Sequence, residues 1–526
     1  MEKPEIENDI TVRYKKLLCL TGLILTVCLY AFRVFLMLEY AFKYVDSDTT
    51  IFWLGTVYYS NGFFPEPFFF GQRYGLMIES FLAVPFYLLH IPLWITVPLV
   101  SMLTCTLPFI IIALYTWKKD ALTSILILLI PCLTGLRYDV VTTVPRSFGG
   151  GFLLTIIGSL LLMSKYNGKP LFAQLWHGTG IFLMILGLIT SIASATISGF
   201  AIGFIIIREF LNGKSFDANF HEHKYIGSLI GLFLGIAVCF GLDYFYTIHP
   251  DYDFYPSPPF KFSFKALSEN LSGIRDIFAA FSPDDDLWFV FPAFVALIIL
   301  FMLIVRRKSG FHLPLLTILS LIGTLMYMTL TKTRDFEDQS YLYSQIRVFI
   351  YIPYLIAMLL CASTFYEKKP IDTAKARPIM YIAVPLMILL VLSAGIMKSL
   401  NLHNVIKQDD TKLTRGDDYL EVRPVDDVLD EAEKTKKFCM ENDIQYVVNF
   451  MPYSYTSTYA IGALNYGSLT TYNAYFERRT WIYNEMKEKP SGNVRIYAIF
   501  DDRRGLVILP SDVSVVECFK KWGYTR

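Results

Sequence analysis

Charge is scarce in this 526-residue chain: only 18% of its residues are Asp, Glu, Lys or Arg, and seven are His. Several windows of more than fifteen residues carry almost no ionisable group, a composition that argues against a large soluble protein. There is no dense basic stripe, so no nucleic-acid partner is expected. Cys-x-x-Cys and His-Glu-x-x-His motifs are both missing, which argues against a zinc site built by the protein. Of eight cysteines, six fall in or beside apolar windows and read as small packing residues. The other two, Cys439 and Cys518, sit on helical patterns, where either a disulfide or two buried thiols would fit.

What the chain has instead is apolar length: 54% hydrophobic residues and a mean hydropathy of +0.44. The segment from Leu17 to Leu38 is long enough for a membrane span, which takes about 20 helical residues. It lacks a small-residue cleavage site and is expected to act as a signal anchor. Lys15 and Lys16 place the N-terminus in the cytoplasm by the positive-inside rule, and Lys118 and Lys119 should return there. Only one span then fits between, assigned to Pro92 through Trp117. Leu76 to His90, interrupted by Glu79 and Pro85, becomes a helix in the outer interface.

Alternation continues through Ala121 to Leu136, Phe148 to Met163, a tight pair within Ile181 to Phe210, Tyr225 to Tyr246, Trp288 to Val305, Leu313 to Leu330, Val348 to Phe365 and Met380 to Met397. The expectation is an α-helical polytopic membrane protein of about eleven spans. Its membrane part covers residues 1–400, with a first external loop at 39–91. Residues 401–526 read as a small extracytoplasmic α/β domain: a helix Val425 to Asn442, a strand Ile444 to Phe450, a helical stretch Arg479 to Lys489, strands Asn493 to Phe500 and Gly505 to Leu509, and a closing helix from Ser511. Such alternation predicts a mostly parallel sheet.

The external loops hold the unusual chemistry. Asp46-Ser47-Asp48 follows the first span directly, and Arg73, Tyr74 and Glu79 lie further along the same loop. The second loop carries Arg137, Asp139 and Arg146, and a later one Arg334 and Arg347. Outer arginines oppose the positive-inside trend, and an anionic phosphate at the outer face would account for them. Bland readings stand beside these: loop acids are ordinarily solvated, and Arg137 or Arg347 could snorkel to the interface. Asp284-Asp285-Asp286 reads as a helix start at Leu287 rather than an ion site. Asn270-Leu271-Ser272 matches a glycosylation sequon.

Asp46-Ser-Asp48-Thr-Thr-Ile-Phe-Trp-Leu-Gly, Asn61-Gly62, Gly71-Gln-Arg-Tyr74-Gly75-Leu-Met-Ile-Glu79 and Ala83-Val-Pro85-Phe together resemble the first external loop of the GT-C membrane glycosyltransferases. The branch concerned contains the protein O-mannosyltransferases and the bacterial lipid A aminoarabinose transferases. Residues Asn442 to Tyr455 are similar to the small α/β domain of many bacterial members. The family's acidic pair is often Asp-Glu or a single Asp, whereas Ser47 separates Asp46 from Asp48 here.

The resemblance implies inverting transfer of a hexosyl or pentosyl group from a polyprenyl-phosphate donor to a lipid, glycan or protein acceptor at the outer face of a bacterial inner membrane. Asp46, then Asp48, would be the general base. Arg137, Arg146, Arg334, Arg347 and Arg73 would be candidate phosphate clamps, and Asp139, Glu79, Tyr74 and Trp53 candidate substrate contacts, with Tyr453 and Tyr455 further candidates in the C-terminal domain. Asp48 and Asp139 would be the candidate pair for a divalent cation, although two acids alone do not establish a metal site. Two other classes compete: a polysaccharide polymerase or ligase using a lipid-diphosphate donor, and a lipid or sugar transporter. A transporter should show ionisable groups near mid-membrane, whereas the polar residues here cluster at the outer ends of the spans.

Overall fold

The protein is seen as a computed structural model that describes residues 3–70, 75–164, 169–211, 222–249, 261–282, 287–305, 312–334, 337–340, 349–366, 373–408, 422–450, 455–473, 481–482, 493–500, 504–509 and 513–521. Among the described residues five helical segments are long and apolar enough to cross a bilayer: Lys16–Ala41, Leu93–Trp117, Leu171–Thr190, Ile226–Ile248 and Val384–Lys407. They belong to α1 (Lys3–Leu36), α4 (Leu93–Trp117), α8 (Pro170–Thr190), α10 (Glu222–Ile248) and α16 (Thr373–Gln408). The other expected spans correspond to shorter apolar helices: α5 (Ala121–Cys132), α7 (Phe148–Met163), α9 (Ser194–Leu211), α13 (Val290–Val305), α14 (His312–Met328) and α15 (Ile352–Ser363). The chain is therefore an integral membrane protein of the expected helical class. Helix α16 runs to Gln408, past the Leu400 at which the membrane part is expected to end.

Between the first two spans lie α2 (Ser47–Ser60) and α3 (Ile78–Leu88). The latter buries Glu79, Ser80 and Ala83 and exposes Phe81, Leu88 and Leu89, the one-sided pattern of an interfacial helix. Gly55 lets α2 and α3 touch, because a Cβ there would strike Met77 and Ser80. The Ser80 hydroxyl ties the pair by donating to the carbonyl of Phe52 at 3.0 Å.

Small residues likewise set the approach of α8 to α10. Glycines 227 and 231 of α10 lie against the backbone of Gln174 and Gly178 on α8, the close backbone contact by which helices pack in lipid.

After α16 the chain forms β5 (Arg423–Pro424), α17 (Val425–Glu441), β6 (Tyr446–Asn449), α18 (Tyr455–Leu464), β7 (Thr470–Asn473), β8 (Val494–Ile499), β9 (Arg504–Leu509) and α19 (Val515–Lys521). The sheet order is β7-β6-β8-β9, parallel except for β9. Val447 of β6 packs with Ala432, Cys439 and Ile461 from α17 and α18, whereas Val448 faces the opposite core with Ile496 and Cys518. Cys439 and Cys518 therefore lie in separate cores and are both buried free thiols. The expected helical stretch Arg479 to Lys489 falls mostly outside the described residues, as do Asp284 to Asp286 and Tyr453. Asn270 of the sequon is fully buried and donates to the Met328 carbonyl at 2.8 Å, so it is no glycan acceptor in the folded protein.

Gly231→Val should push α10 off α8, because a Cβ at 231 meets the Gly178 carbonyl. Overpacking of this kind costs about 1–3 kcal/mol, and the thermal melting point of the purified protein in detergent should fall. Gly241→Val, with open space around its Cβ, is the control expected to leave it unchanged.

Candidate active site

Helix α1 leads directly into the acidic loop. It passes through one π-helical turn, Met37–Ala41, into the two-residue strand β1 (Tyr44–Val45), and Asp46 comes next, with extended backbone, as the N-cap of α2. Its Oδ1 accepts the Thr49 amide at 2.8 Å and the Thr49 hydroxyl at 2.7 Å, the satisfaction of first-turn donors expected of an Asp cap. One oxygen is thus committed to structure, and the other faces Arg146.

Arg146 sits in the loop between α6 (Leu136–Val141) and α7. Its Nη2 meets Asp46 Oδ2 at 2.7 Å and its Nη1 meets Asp48 Oδ2 at 3.0 Å, so one guanidinium bridges both acids. The side chains of Arg146 and Asp46 are almost wholly buried, and Asp48 is 16% exposed. Burial alone would raise the Asp46 pKa, but the charge and hydrogen bond of Arg146 and the two bonds from Thr49 outweigh it and hold the carboxyl below its usual value. A small crevice opens beside Asp46, lined by Tyr40, Tyr44, Thr49, Pro98 and Thr143.

The loop that presents Arg146 is anchored by a second ionic group. Asp139 of α6 meets Arg33 Nη2 of α1 through Oδ1 at 2.7 Å and Lys398 Nζ of α16 through Oδ2 at 2.7 Å. Thr134 donates to the same Oδ1 at 2.9 Å. Arg33 also donates to the Asp139 carbonyl and to the Thr142 hydroxyl, four residues short of Arg146. At the far side of the loop Ser147 takes a left-handed φ of 63°. Glycines 149, 150 and 151 then let the start of α7 lie against Thr104, Ile78 and Ser191.

Of the residues expected at the site, Asp46, Asp48 and Arg146 come together. Asp139 is not brought to a metal site with Asp48, because both of its oxygens are held by cations. Trp53 is fully buried in the core beneath α2, with its ring 6.4 Å from Trp94, so it offers no stacking face. Glu79 is buried too, and its Oε1 accepts the Gly150 amide at 3.1 Å. Arg137 is exposed on α6. Arg334 ends β3 (Leu330–Arg334), with its side chain outside the described residues, and Arg73, Tyr74 and Arg347 lie outside them altogether, as does the side chain of Tyr455. Among the described residues no three His, Cys, Asp or Glu side chains gather as a metal site would require. Arg33 and Lys398 were not anticipated, although a lone cation within an apolar helix is itself a signal of a buried partner.

No model of a known protein family matches the chain, and no curated protein matches it by sequence. Among solved structures it is similar to the apo form of ArnT, the lipid A aminoarabinose transferase, from Cupriavidus metallidurans, at a TM-score of 0.50 and 9% identity, over 92% of this chain and 97% of that one. The chain has the GT-C fold. A second structure of that ArnT, bound to undecaprenyl phosphate, matches at a TM-score of 0.48, with the same identity and coverage.

Burial pushes Glu79 up to about 7, against the opposing bond from Gly150. The folded state therefore favours its neutral form, and ionisation costs stability as pH rises from the ordinary glutamate range through about 7. Glu79→Gln, which keeps an acceptor for Gly150, should gain Tm relative to the parent between pH 5 and pH 8. A variant that instead loses Tm most at pH 8 would show that ionised Glu79 is paired with a cation.

Proposed function

We propose that the protein is a membrane glycosyltransferase that moves a sugar from a polyprenyl-phosphate donor to an acceptor on the extracytoplasmic face, with inversion. The observation that carries this reading is the clasp of Arg146 on Asp46 and Asp48 beside a crevice at the end of the first span. The GT-C fold supports it, as do the Lys pairs that read as cytoplasmic. In this reading the N-terminus is cytoplasmic in a bacterial inner membrane, residues 1–400 form the membrane domain with its loop at 39–91, and residues 401–526 form the external domain.

The chemistry follows from what the clasp can exchange. An acceptor hydroxyl or amine forms a bond to the anomeric carbon as the bond from that carbon to the phosphate oxygen breaks. The electron pair leaves with the lipid phosphate, and the acceptor proton passes to a carboxylate within hydrogen-bond reach, Asp46 first and Asp48 second. The leaving phosphate is already anionic and needs a cation more than a proton. Arg146 provides two donors in one plane, the geometry suited to a phosphate as well as to the carboxylates it now holds. As the guanidinium turns to the phosphate, Asp46 loses the partner that depresses its pKa while remaining buried, and becomes a stronger base. No step is routed through a divalent ion.

Release of polyprenyl phosphate by purified protein in lipid, across a panel of hexosyl and pentosyl donors, tests the reading. Loss of a general base removes about 100-fold or more of the rate, so Asp46→Asn should fall by that factor and Asp48→Asn by less. Arg146→Lys keeps the charge but loses the fork and should raise the donor KM. Equal release by parent, Asp46→Asn and Asp48→Asn would take the acidic loop out of the mechanism. Donor uptake into vesicles without phosphate release would favour a transporter.

A further inference from the structure

The residue immediately before Asp46 is hydrogen-bonded into a strand that belongs to the far end of the chain. Tyr44 and Val45 of β1 pair antiparallel with Pro424 and Arg423 of β5, and the Val425 amide donates to the Lys43 carbonyl at 2.7 Å. Pro424, which has no N–H, sits opposite Tyr44, next to that bond and at a position that calls for no donor from it. The two-residue strand would be marginal alone, yet its partner is anchored. Arg423 Nη1 meets Glu431 Oε2 of α17 at 2.7 Å and also reaches the Ser457 hydroxyl of α18. Ser457 donates to Glu431 at 2.8 Å, and Arg504 of β9 takes the other Glu431 oxygen at 2.6 Å.

The same helices cover α2. Val425 and Val428 of α17 and Tyr459, Ala460 and Ala463 of α18 share one core with Ile51, Phe52, Trp53 and Leu54. Both flanks of Asp46, the strand before it and the helix it caps, are thus held by residues more than 370 positions away.

We infer that β5, anchored by the Arg423–Glu431–Ser457 group, is a positioning element that fixes the Asp46 carboxylate for transfer, so that the C-terminal part of the chain acts on the reaction without touching the donor. This rests on the proposed function for its catalytic consequence but not for its structural one. A general base must lie within hydrogen-bond reach of its proton, and a displacement of about 1 Å at such a group can cost up to 100-fold in rate. Arg423 and Glu431 are positioning residues in this sense, because they act on Asp46 through the strand pair and not by contact.

The test uses the full chain in lipid. Glu431→Gln removes the charge that anchors Arg423 and is compared with the parent by amide hydrogen exchange over residues 42 to 50 and by polyprenyl phosphate release. Exchange over that segment should quicken about tenfold or more, as expected for local opening, while α4 and α7 are unchanged. Turnover should fall about tenfold at an unchanged donor KM. A Tyr44→Cys and Pro424→Cys disulfide, added to Glu431→Gln, should restore both. Arg423→Gln, which leaves Glu431 its Arg504 partner, should give the same pattern and serves where Glu431→Gln does not fold. Exchange as slow as in the parent, or a cross-linked variant that stays slow in turnover, overturns the inference. If the parent releases phosphate from no donor, the functional reading fails alone, and the exchange result still decides whether β5 holds the loop.

Discussion

A carboxylate without access to water must be neutralised by its neighbours, and the placement of Asp139 between Arg33 and Lys398 is the constraint on which the site depends. The three residues come from the first span, the short helix of the second loop and the last of the long apolar helices. A buried group of this kind adds little net stability over an apolar replacement, but breaking it by removing one partner costs about 3–5 kcal/mol. Its value is therefore geometric. With Arg33 also on the Thr142 hydroxyl, the segment from Thr134 to Thr142 has few ways to move, and Arg146 is delivered to the end of α1 from a fixed base.

The acidic loop is held from the opposite direction. Strand β1 is too short to define a conformation alone, and α2 exposes almost nothing because α17 and α18 lie over it. The arrangement separates two tasks. The membrane helices and their ion group position the cation, and β5 with α17 and α18 positions the anions. The site is the place where these frameworks meet, joined by the two salt bridges of Arg146.

This division explains how much was legible in the sequence. Hydropathy marks the spans because lipid leaves a helix little choice, and the segment Leu76 to His90, which the Lys pairs keep out of the spans, forms the short helix α3. Short apolar runs mark β6, β8 and β9. By contrast α18, Tyr-Thr-Ser-Thr-Tyr-Ala-Ile-Gly-Ala-Leu, opens with hydroxyls and carries no amphipathic stripe, so tertiary packing against α2 decides it. The same cover misled the reading of Trp53: a Trp beside an acidic pair looks available for a sugar until a helix some 400 residues later closes over it. Asp46 and Asp48 were legible because acids at a span end are few. That Arg146, rather than Arg137, would join them was not, since the two differ only in which way a nine-residue excursion turns, and Asp139 with Ser147 sets that turn.

The resulting pair of acids is not symmetric, and the asymmetry bears on which one reacts. Asp46 spends one oxygen as a helix cap and is almost wholly buried, so its ionisation is governed by Arg146. Asp48, in the first turn of α2 and partly exposed, keeps contact with water and with the favourable end of the helix dipole. A cation shared between them is drawn away more readily from the acid that water can still solvate. Arrival of an anion at Arg146 thus releases Asp48 at little cost, while Asp46 left buried without its cation must take up a proton or find another partner. In the proposed transfer the more buried acid is the one whose affinity for a proton rises when a phosphate takes Arg146, and that coupling is what a general base would require.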